Sequence, residues 1–142
     1  MDFHFHMLDV GRADSIIVEV FDSKNDTVIF IDAGFENDYE TINQYFKNEI
    51  VPRLTEDFQI ILVITHPHND HIGGIKSILN DYGNRVKECF FNDLTKYLNQ
   101  DEINQIQSYN TNESIGQNKI HKLRECIENS TILTETLSNY SI

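Results

Sequence analysis

The sequence predicts an α/β domain whose sheet presents polar side chains at the end of one buried strand. Short apolar runs typical of strands alternate along the chain with stretches of helical periodicity. The run at 58–65, FQIILVIT, is apolar and rich in β-branched residues, as expected for a buried strand. Directly after it come four side chains of the kind that bind metal ions: His66, His68, Asp70 and His71.

Three further strands are predicted upstream of this run. Residues 3–9 and 15–21 form a hairpin, because both read as strands and Gly11 permits a tight turn between them. Residues 27–31, TVIFI, are nearly all apolar, which predicts a central strand covered on both faces. This strand ends in Asp32, a position that in layered α/β folds is either functional or caps the following turn.

The first strand alternates, with Phe3, Phe5 and Met7 on one face and His4 and His6 on the other. We expect an edge strand whose histidine face is the polar outer one. The alternative is that the two histidines chelate a metal ion, because side chains two residues apart in a strand project to the same side.

Helical periodicity predicts a helix at 38–51, with Asp38 as its N-cap and Pro52 beyond its end. Downstream, the pattern predicts a helix, a strand and two more helices, at 72–79, 87–91, 94–109 and 116–128. The sequence after 128 is too short and mixed to assign.

Length and charge limit the classes of partner. The 142 residues suit one domain, 1–142, and 11 Lys+Arg against 23 Asp+Glu give a net charge of −12. This charge disfavours nucleic acid, although a metal site would supply local positive charge. No apolar run is long enough for a bilayer and the start lacks a signal peptide, so we expect a cytoplasmic protein without membrane contact. The lone cysteines, Cys89 and Cys126, are expected to be buried thiols.

The spacing of the four ligand-type residues favours a site for one or two metal ions. His66 and His68 lie two residues apart, so in an extended segment both reach one cation. Asp70 and His71 follow where the chain turns and address a second position close by. Imidazole and carboxylate donors without thiolate suit Zn²⁺, and also Mn²⁺ or Fe. The Gly-Gly pair that follows permits close backbone approach and exposes amide groups that favour an anion.

The stretch THPHNDHIGG resembles the metal-binding motif of the metallo-β-lactamase-fold superfamily. Upstream, LDVGRADSIIVEV resembles the opening hairpin of the subgroup related to the competence protein of the DNA-uptake channel, and VIFIDAG resembles the next strand and its turn. The match covers roughly residues 3–80. It implies a metallo-β-lactamase-like αββα sandwich, of which this chain supplies mainly the first β-sheet half and its helices.

The resemblance also implies roles for the ligand residues. His66 and His68 would bind the first metal ion. Asp70 and His71 would bind the second, and Asp70, as the catalytic residue, would also orient the attacking water. A histidine at the third ligand position favours the hydrolase branch of the superfamily over the flavo-diiron branch, which places a carboxylate there.

Two more acids receive roles in the same way. Asp32 would brace the ligand loop, and Asp14, in the opening motif, would be structural or close to the site. The implied function is a metal-dependent hydrolase in which zinc-activated water attacks an ester or phosphodiester substrate, either a small molecule or, less favoured by charge, a nucleic acid.

The resemblance also leaves a gap, because the family completes its site with two histidines and an acid from its second half. His121 is the one histidine after position 71, and it lies on the polar side of a predicted helix. We therefore expect the N-terminal part of a full-length hydrolase. The alternative is a non-catalytic or truncated module that acts through protein–protein contacts or completes its site with another chain. Half a sandwich would expose apolar surface on the strands at 15–21, 27–31 and 58–65 and favour a homodimer.

Overall fold

A five-stranded sheet organises the computed structural model, which describes residues 2–108 and 117–142. Its strands are β1 (Asp2–Met7), β2 (Ile16–Phe21), β3 (Thr27–Ile31), β4 (Gln59–Ile64) and β5 (Val86–Phe91). They lie side by side in this order, with β1, β2 and β3 antiparallel and β3, β4 and β5 parallel. The α/β class, the opening hairpin and the predicted strands are confirmed.

Among the described residues, five α-helices accompany the sheet: α1 (Tyr39–Tyr45), α2 (Asn69–Ile72), α3 (Ile75–Tyr82), α4 (Gln100–Ser108) and α5 (Gln117–Asn139). The segment around α1 is longer than its α-helical part, because 3-10 turns flank it and a π turn at Phe46–Ile50 extends it. The apolar stripe predicted for this segment is confirmed, since Ile42, Phe46 and Ile50 are fully buried. These side chains join others from α3 and α5 in one core against the sheet.

Some predicted helix ends are confirmed and others are wrong. Asp38 takes the N-cap position of α1, as predicted, but its side chain makes no capping hydrogen bond to that helix. A 3-10 turn at Glu36–Asp38 precedes α1, and Asp38 Oδ2 accepts the backbone N–H of Phe35 at 2.9 Å. The helix predicted at 94–109 is interrupted at Leu98, whose backbone is extended (φ −117°, ψ 139°). Tyr109 and Gly116, two predicted helix ends, lie outside the described residues. Helix α5 continues to Asn139, through the stretch after 128 for which the sequence pattern predicts no element.

Helices cover one face of the sheet and leave the other open. The pairing register places an apolar set on the open side, which we call the helix-free face: Phe3, Phe5, Met7, Ile16, Val18, Val20, Ile29, Ile31, Ile61, Val63 and Phe90. Strand β3 is central, as predicted, but it is covered on one face, since Val28 and Phe30 are buried while Ile29 and Ile31 are partly exposed. The exposure expected on the strands at 15–21, 27–31 and 58–65 is only partial, because their side chains on this face are half-buried or, at Val18, buried. The strongly exposed apolar side chains lie on the outer strands β1 and β5.

The two faces of β1 are reversed relative to the prediction. Phe5 is 64% and Met7 82% exposed, whereas the His6 side chain is 12% exposed. The cause is Glu19 on β2, a buried carboxylate that contacts the histidine side of β1 and takes His6 as a partner. A buried charge requires a hydrogen-bonding partner, and this requirement outweighs the preference for burying aromatic side chains on β1.

Cys89 on β5 is expected to react slowly with thiol reagents. Burial raises the pKa of its thiol from an ordinary 9.0 to about 12, and the thiolate is the reactive form. At pH 8 the thiolate fraction is then roughly 10⁻⁴, against about a tenth for an ordinary thiol. Reaction of a Cys126→Ser variant with an aromatic disulfide should be at least ~100-fold slower than that of free cysteine and should accelerate towards high pH. A rate equal to that of free cysteine would contradict this assignment.

Candidate metal centre

The candidate site forms where the parallel strands β3 and β4 end. Asp32 extends the ladder beyond β3, and its N–H donates to the carbonyl of Val63 at 2.9 Å. Its backbone then turns through a left-handed conformation (φ 57°), which aspartate tolerates better than most residues. On the neighbouring strand the chain passes from Ile64 into the ligand loop, residues 65–71, so both strands bring polar side chains to the same edge.

Asp32 is the buried anchor of this edge. Its Oδ1 accepts the backbone N–H of Thr65 at 2.9 Å, and its Oδ2 accepts the Thr65 hydroxyl at 2.7 Å. Oδ2 also accepts the Nδ1–H of His71 at 2.8 Å. In the neutral ring this bond places the proton on Nδ1 and makes Nε2 the nitrogen that can bind a metal ion, the arrangement by which a carboxylate orients a metal-binding histidine. The bracing role expected of Asp32 therefore has a matching geometry.

Three of the four predicted ligands converge. His66, Asp70 and His71 offer donor atoms that all lie within 4.8 Å of one another. His71 Nε2 lies 3.7 Å from Asp70 Oδ2, and the His66 and His71 rings have centroids 3.7 Å apart. Two imidazoles and one carboxylate form a donor set that suits Zn²⁺ and leaves a coordination position open.

His68 lies beside this group and is not part of it. Its ring packs edge-on against that of His66, with centroids 4.8 Å apart. Its backbone carbonyl accepts the N–H groups of His71 and Ile72 at the start of α2. The division of ligands between two ions therefore stays a prediction.

Asp14 reaches the site from the loop between β1 and β2. Its carboxylate is 73% exposed, with Oδ2 3.8 Å from His71 Nε2. Its backbone N–H donates to the carbonyl of Asp70 at 3.4 Å, and its own carbonyl accepts the N–H of Gly34 at 3.0 Å. The opening loop is thus fastened to the ligand loop, and the Asp14 side chain faces the free nitrogen of His71.

His66 is held towards its neutral form. Partial burial lowers its pKa, and the neighbouring His71 and His68 lower it further. A histidine binds metal through a neutral ring nitrogen. The surroundings of His66 therefore favour the protonation state that a metal ligand needs.

The two glycines after the ligands serve packing. A Cβ on Gly73 would overlap the backbone of Phe35 and Glu36, and one on Gly74 would lie 2.5 Å from the carbonyl oxygen of Ala33. The expectation of close backbone approach is confirmed. The expected anion-binding role is wrong for Gly73, because its N–H already donates to the carbonyl of Asn69 at 3.1 Å.

Sequence reasoning missed three residues that support the loop. Thr65 connects Asp32 to the loop, and its position directly after β4 was the available signal. From α5, Glu125 Oε1 accepts the backbone N–H of Asn69 at 2.9 Å, and Asn129 donates to the carbonyl of Pro67 at 2.9 Å. No pattern in the sequence indicated these two contacts, because they join segments far apart in the chain.

Two open cavities flank the ligand loop. One of about 540 Å³ lies between Asn69 and α5 and is lined by His121 and Glu125, and one of about 640 Å³ lies beside Gly73 and Lys76. None of the converging ligands lines either cavity. His121 is exposed, as expected of a solvated helix residue.

Comparison with known protein families shows which one this chain belongs to. Residues 8–89, more than half of the chain, match the model of the metallo-beta-lactamase superfamily. The chain therefore belongs to the metallo-β-lactamase superfamily. No curated protein sequence matches it.

Solved structures of metallo-β-lactamases are similar over part of their length. One is the enzyme from Erythrobacter litoralis with beta mercaptoethanol in the active site, at 21% identity, 61% coverage of this chain, 35% coverage of that chain and a TM-score of 0.33. Another is FIM-1 from Pseudomonas aeruginosa in the mono-zinc form, at 17% identity, 72% and 39% coverage, and a TM-score of 0.34. The chain spans little more than a third of the length of either.

Among the helices of the described residues, none has the length and hydropathy needed to cross a membrane.

Proposed function

We propose that this chain carries the metal-binding half of a metal-dependent hydrolase. The observation that carries the proposal is the bond from His71 Nδ1 to the buried Asp32, which leaves Nε2 free beside His66 and Asp70. His71 is itself buried, with Asp32 at its Nδ1 and the carboxylates of Asp70 and Asp14 at 3.7 and 3.8 Å from its Nε2, as expected for a histidine that a carboxylate orients towards a metal ion. His66, Asp70 and His71 would hold the ion, with His68 close enough to join through a change of side-chain rotamer.

The residues of this site would have different roles in the reaction. Asp32 and Thr65 keep His71 in one tautomer and orientation. Asp70 sits at the edge of the group with its side chain 36% exposed, so it accepts a hydrogen bond from an incoming water and orients it for attack. Bound zinc would supply a lowered pKa for that water and charge stabilisation for the developing oxyanion.

A phosphodiester is the proposed substrate class. The support is the opening hairpin LDVGRADSIIVEV, which resembles that of the competence-related subgroup. The net charge of −12 favours a small phosphodiester over nucleic acid. A cytoplasmic location and a single, incomplete metallo-β-lactamase-like domain at 1–142 belong to the same proposal.

A phosphodiesterase assay tests the proposal. The natural full-length protein loaded with Zn²⁺ should hydrolyse bis(p-nitrophenyl) phosphate, and Asp70→Ala should lower kcat by at least ~100-fold through loss of the positioned water. Asp101→Ala, an exposed acid on α4, is the matched control and should retain activity. A chelator should abolish the activity, and added Zn²⁺ should restore it. Equal rates for the wild-type protein and Asp70→Ala would refute the hydrolytic assignment.

The second candidate is a non-catalytic module that pairs with another chain or a second copy. The helix-free face favours it, because Phe3, Phe5, Met7 and Phe90 are all more than half exposed on one side of the sheet. A protein that binds Zn²⁺ at His66 and His71, self-associates in light scattering and shows no hydrolysis would establish this candidate instead.

A further inference from the structure

A second group of metal-ligand side chains lies on the helix side of β1 and β2, away from the ligand loop. His4, His6 and Glu19 offer one donor atom each, and these atoms all lie within 4.8 Å of one another. His4 sits directly opposite Glu19 in the antiparallel register, and His6 is one step along the same face. His6 Nε2 is 2.5 Å and His4 Nδ1 3.9 Å from Glu19 Oε1. Two donor atoms that bind one zinc ion lie roughly 3.3 Å apart, so small side-chain shifts would bring these three donor atoms to coordinating distances.

Glu19 supplies an independent observation, because one oxygen of its buried carboxylate is unpaired among the described residues. Its side chain is fully buried, and within the described part of the chain its Oε2 has no hydrogen-bond partner. A buried carboxylate oxygen without a partner carries a substantial free-energy cost, and native structures rarely leave one. A divalent cation bound by both carboxylate oxygens would remove this cost.

A hydrogen bond fixes the orientation of the His6 ring, as is usual for histidines that bind metal ions. His6 Nδ1 lies 2.9 Å from the hydroxyl of Tyr45 in α1, a contact that fixes the ring and turns Nε2 towards Glu19. When Nε2 binds a metal ion, Nδ1–H donates to the Tyr45 oxygen, which is the supporting bond that ligating histidines make. The His4 side chain is 53% exposed, so an ion has access from solvent.

Arg53 occupies the place of the cation. Its Nη2 lies 2.5 Å from Glu19 Oε1, the same oxygen that His6 contacts. Arg53 follows Pro52 in a 3-10 turn and its side chain is 43% exposed, so it reaches solvent without repacking the core. The guanidinium and a metal ion therefore compete for one carboxylate.

We propose that His4, His6 and Glu19 form a second metal site, for a divalent transition-metal ion such as Zn²⁺, in which the ion displaces Arg53 from Glu19. Two histidines and one carboxylate are a donor set for Zn²⁺, Fe²⁺ and related ions. The ligands come from two neighbouring strands, so the ion would clip the edge strand β1 to the sheet. The site does not depend on the ligand loop, and the proposal is independent of the hydrolase assignment.

Histidine side-chain ¹H–¹⁵N spectra during a Zn²⁺ titration test this site. The ring resonances of His4 and His6, assigned with His4→Asn and His6→Asn, should shift and saturate at one equivalent beyond that taken by the ligand loop. Calorimetry should then show one equivalent less for His4→Asn than for wild type. His121→Asn, an exposed histidine on α5, is the matched control and should keep the wild-type stoichiometry. Shifts confined to His66, His68 and His71 would overturn the proposal.

Arg53→Gln separates a metal site from a simple ion pair. If Arg53 competes with the ion, removing it should tighten Zn²⁺ binding at this site by about tenfold, and Tyr45→Phe should weaken it by ~10–100-fold. If the cluster is a structural ion pair, Arg53→Gln would lower the melting temperature and leave Zn²⁺ binding unchanged, which would refute the proposal. Because His4 is half-exposed, His4→Asn should fold, and circular dichroism checks that it does.

Discussion

Asp32→Asn is expected to lower the Zn²⁺ affinity of the ligand loop by ~10–100-fold, the usual cost of losing a carboxylate that orients a metal-binding histidine. Asparagine has the same size and tolerates the left-handed backbone at this position (φ 57°). It has one acceptor oxygen in place of two, so it cannot serve the Thr65 N–H, the Thr65 hydroxyl and His71 Nδ1–H together. His71 then loses its fixed tautomer, and the measurement is calorimetric titration with Zn²⁺.

A matched control isolates this effect from stability. Asp26 is another buried aspartate that holds a loop, since its Oδ2 accepts the N–H of Thr55 at 2.7 Å, but it lies at the opposite end of β3. Asp26→Asn should cost stability, by about 1–3 kcal/mol, without changing Zn²⁺ affinity at the ligand loop. If Asp32→Asn binds Zn²⁺ as tightly as the wild type, the bracing role of Asp32 is wrong.

Gly73→Ala is expected to cost at least ~3 kcal/mol of unfolding free energy, at the upper end of overpacking effects. The backbone at Gly73 is ordinary helix (φ −53°), so the cost is steric. The added Cβ would overlap backbone atoms of Phe35 and Glu36, which cannot rotate away as a flexible side chain would. The loop after β3 and the start of α3 would have to separate, and urea unfolding measures the result.

Gly11→Ala provides the comparison for this substitution. Gly11 has a positive φ of 73° but no atom within 4 Å of an added Cβ. Gly11→Ala should lower the unfolding free energy only through its backbone conformation, by about 1–2 kcal/mol. Equal losses for the two variants would show that Gly73 is not confined by the chain that it packs against.

The first half of the fold was predictable because its signals are local. Apolar runs such as 58–65 identify strands by themselves, and ligand spacing within His66–His71 needs no knowledge of the rest of the chain. The orientation of β1 was not predictable in this way. It depends on Glu19, which in sequence has the pattern of an ordinary polar residue within a strand. In the fold Glu19 is a fully buried charge that contacts His6 and Arg53. Alternation gives the two faces of a strand but does not say which one is inside.

The candidate site likewise has features that the sequence predicts and features that only the fold determines. The ligand-type residues and the acid Asp32 could be named from sequence, since each stands at the end of an apolar run. The convergence of His66 with Asp70 and His71, and the separate position of His68, depend on how the loop folds into α2. Side-chain contacts such as Glu125 with Asn69 leave no periodic signal, because a hydrogen bond between distant segments constrains single positions.

The contact between α5 and the ligand loop also has a kinetic meaning. Glu125 and Asn69 are 56 residues apart in the chain, and Asn129 and Pro67 are 62 apart. Closing such long loops is entropically slow, so contacts of this kind form after local helices and hairpins. The ligand loop would gain its final shape late in folding, once α5 has docked. A metal ion bound there with native affinity would then report that the distant end of the chain is already in place.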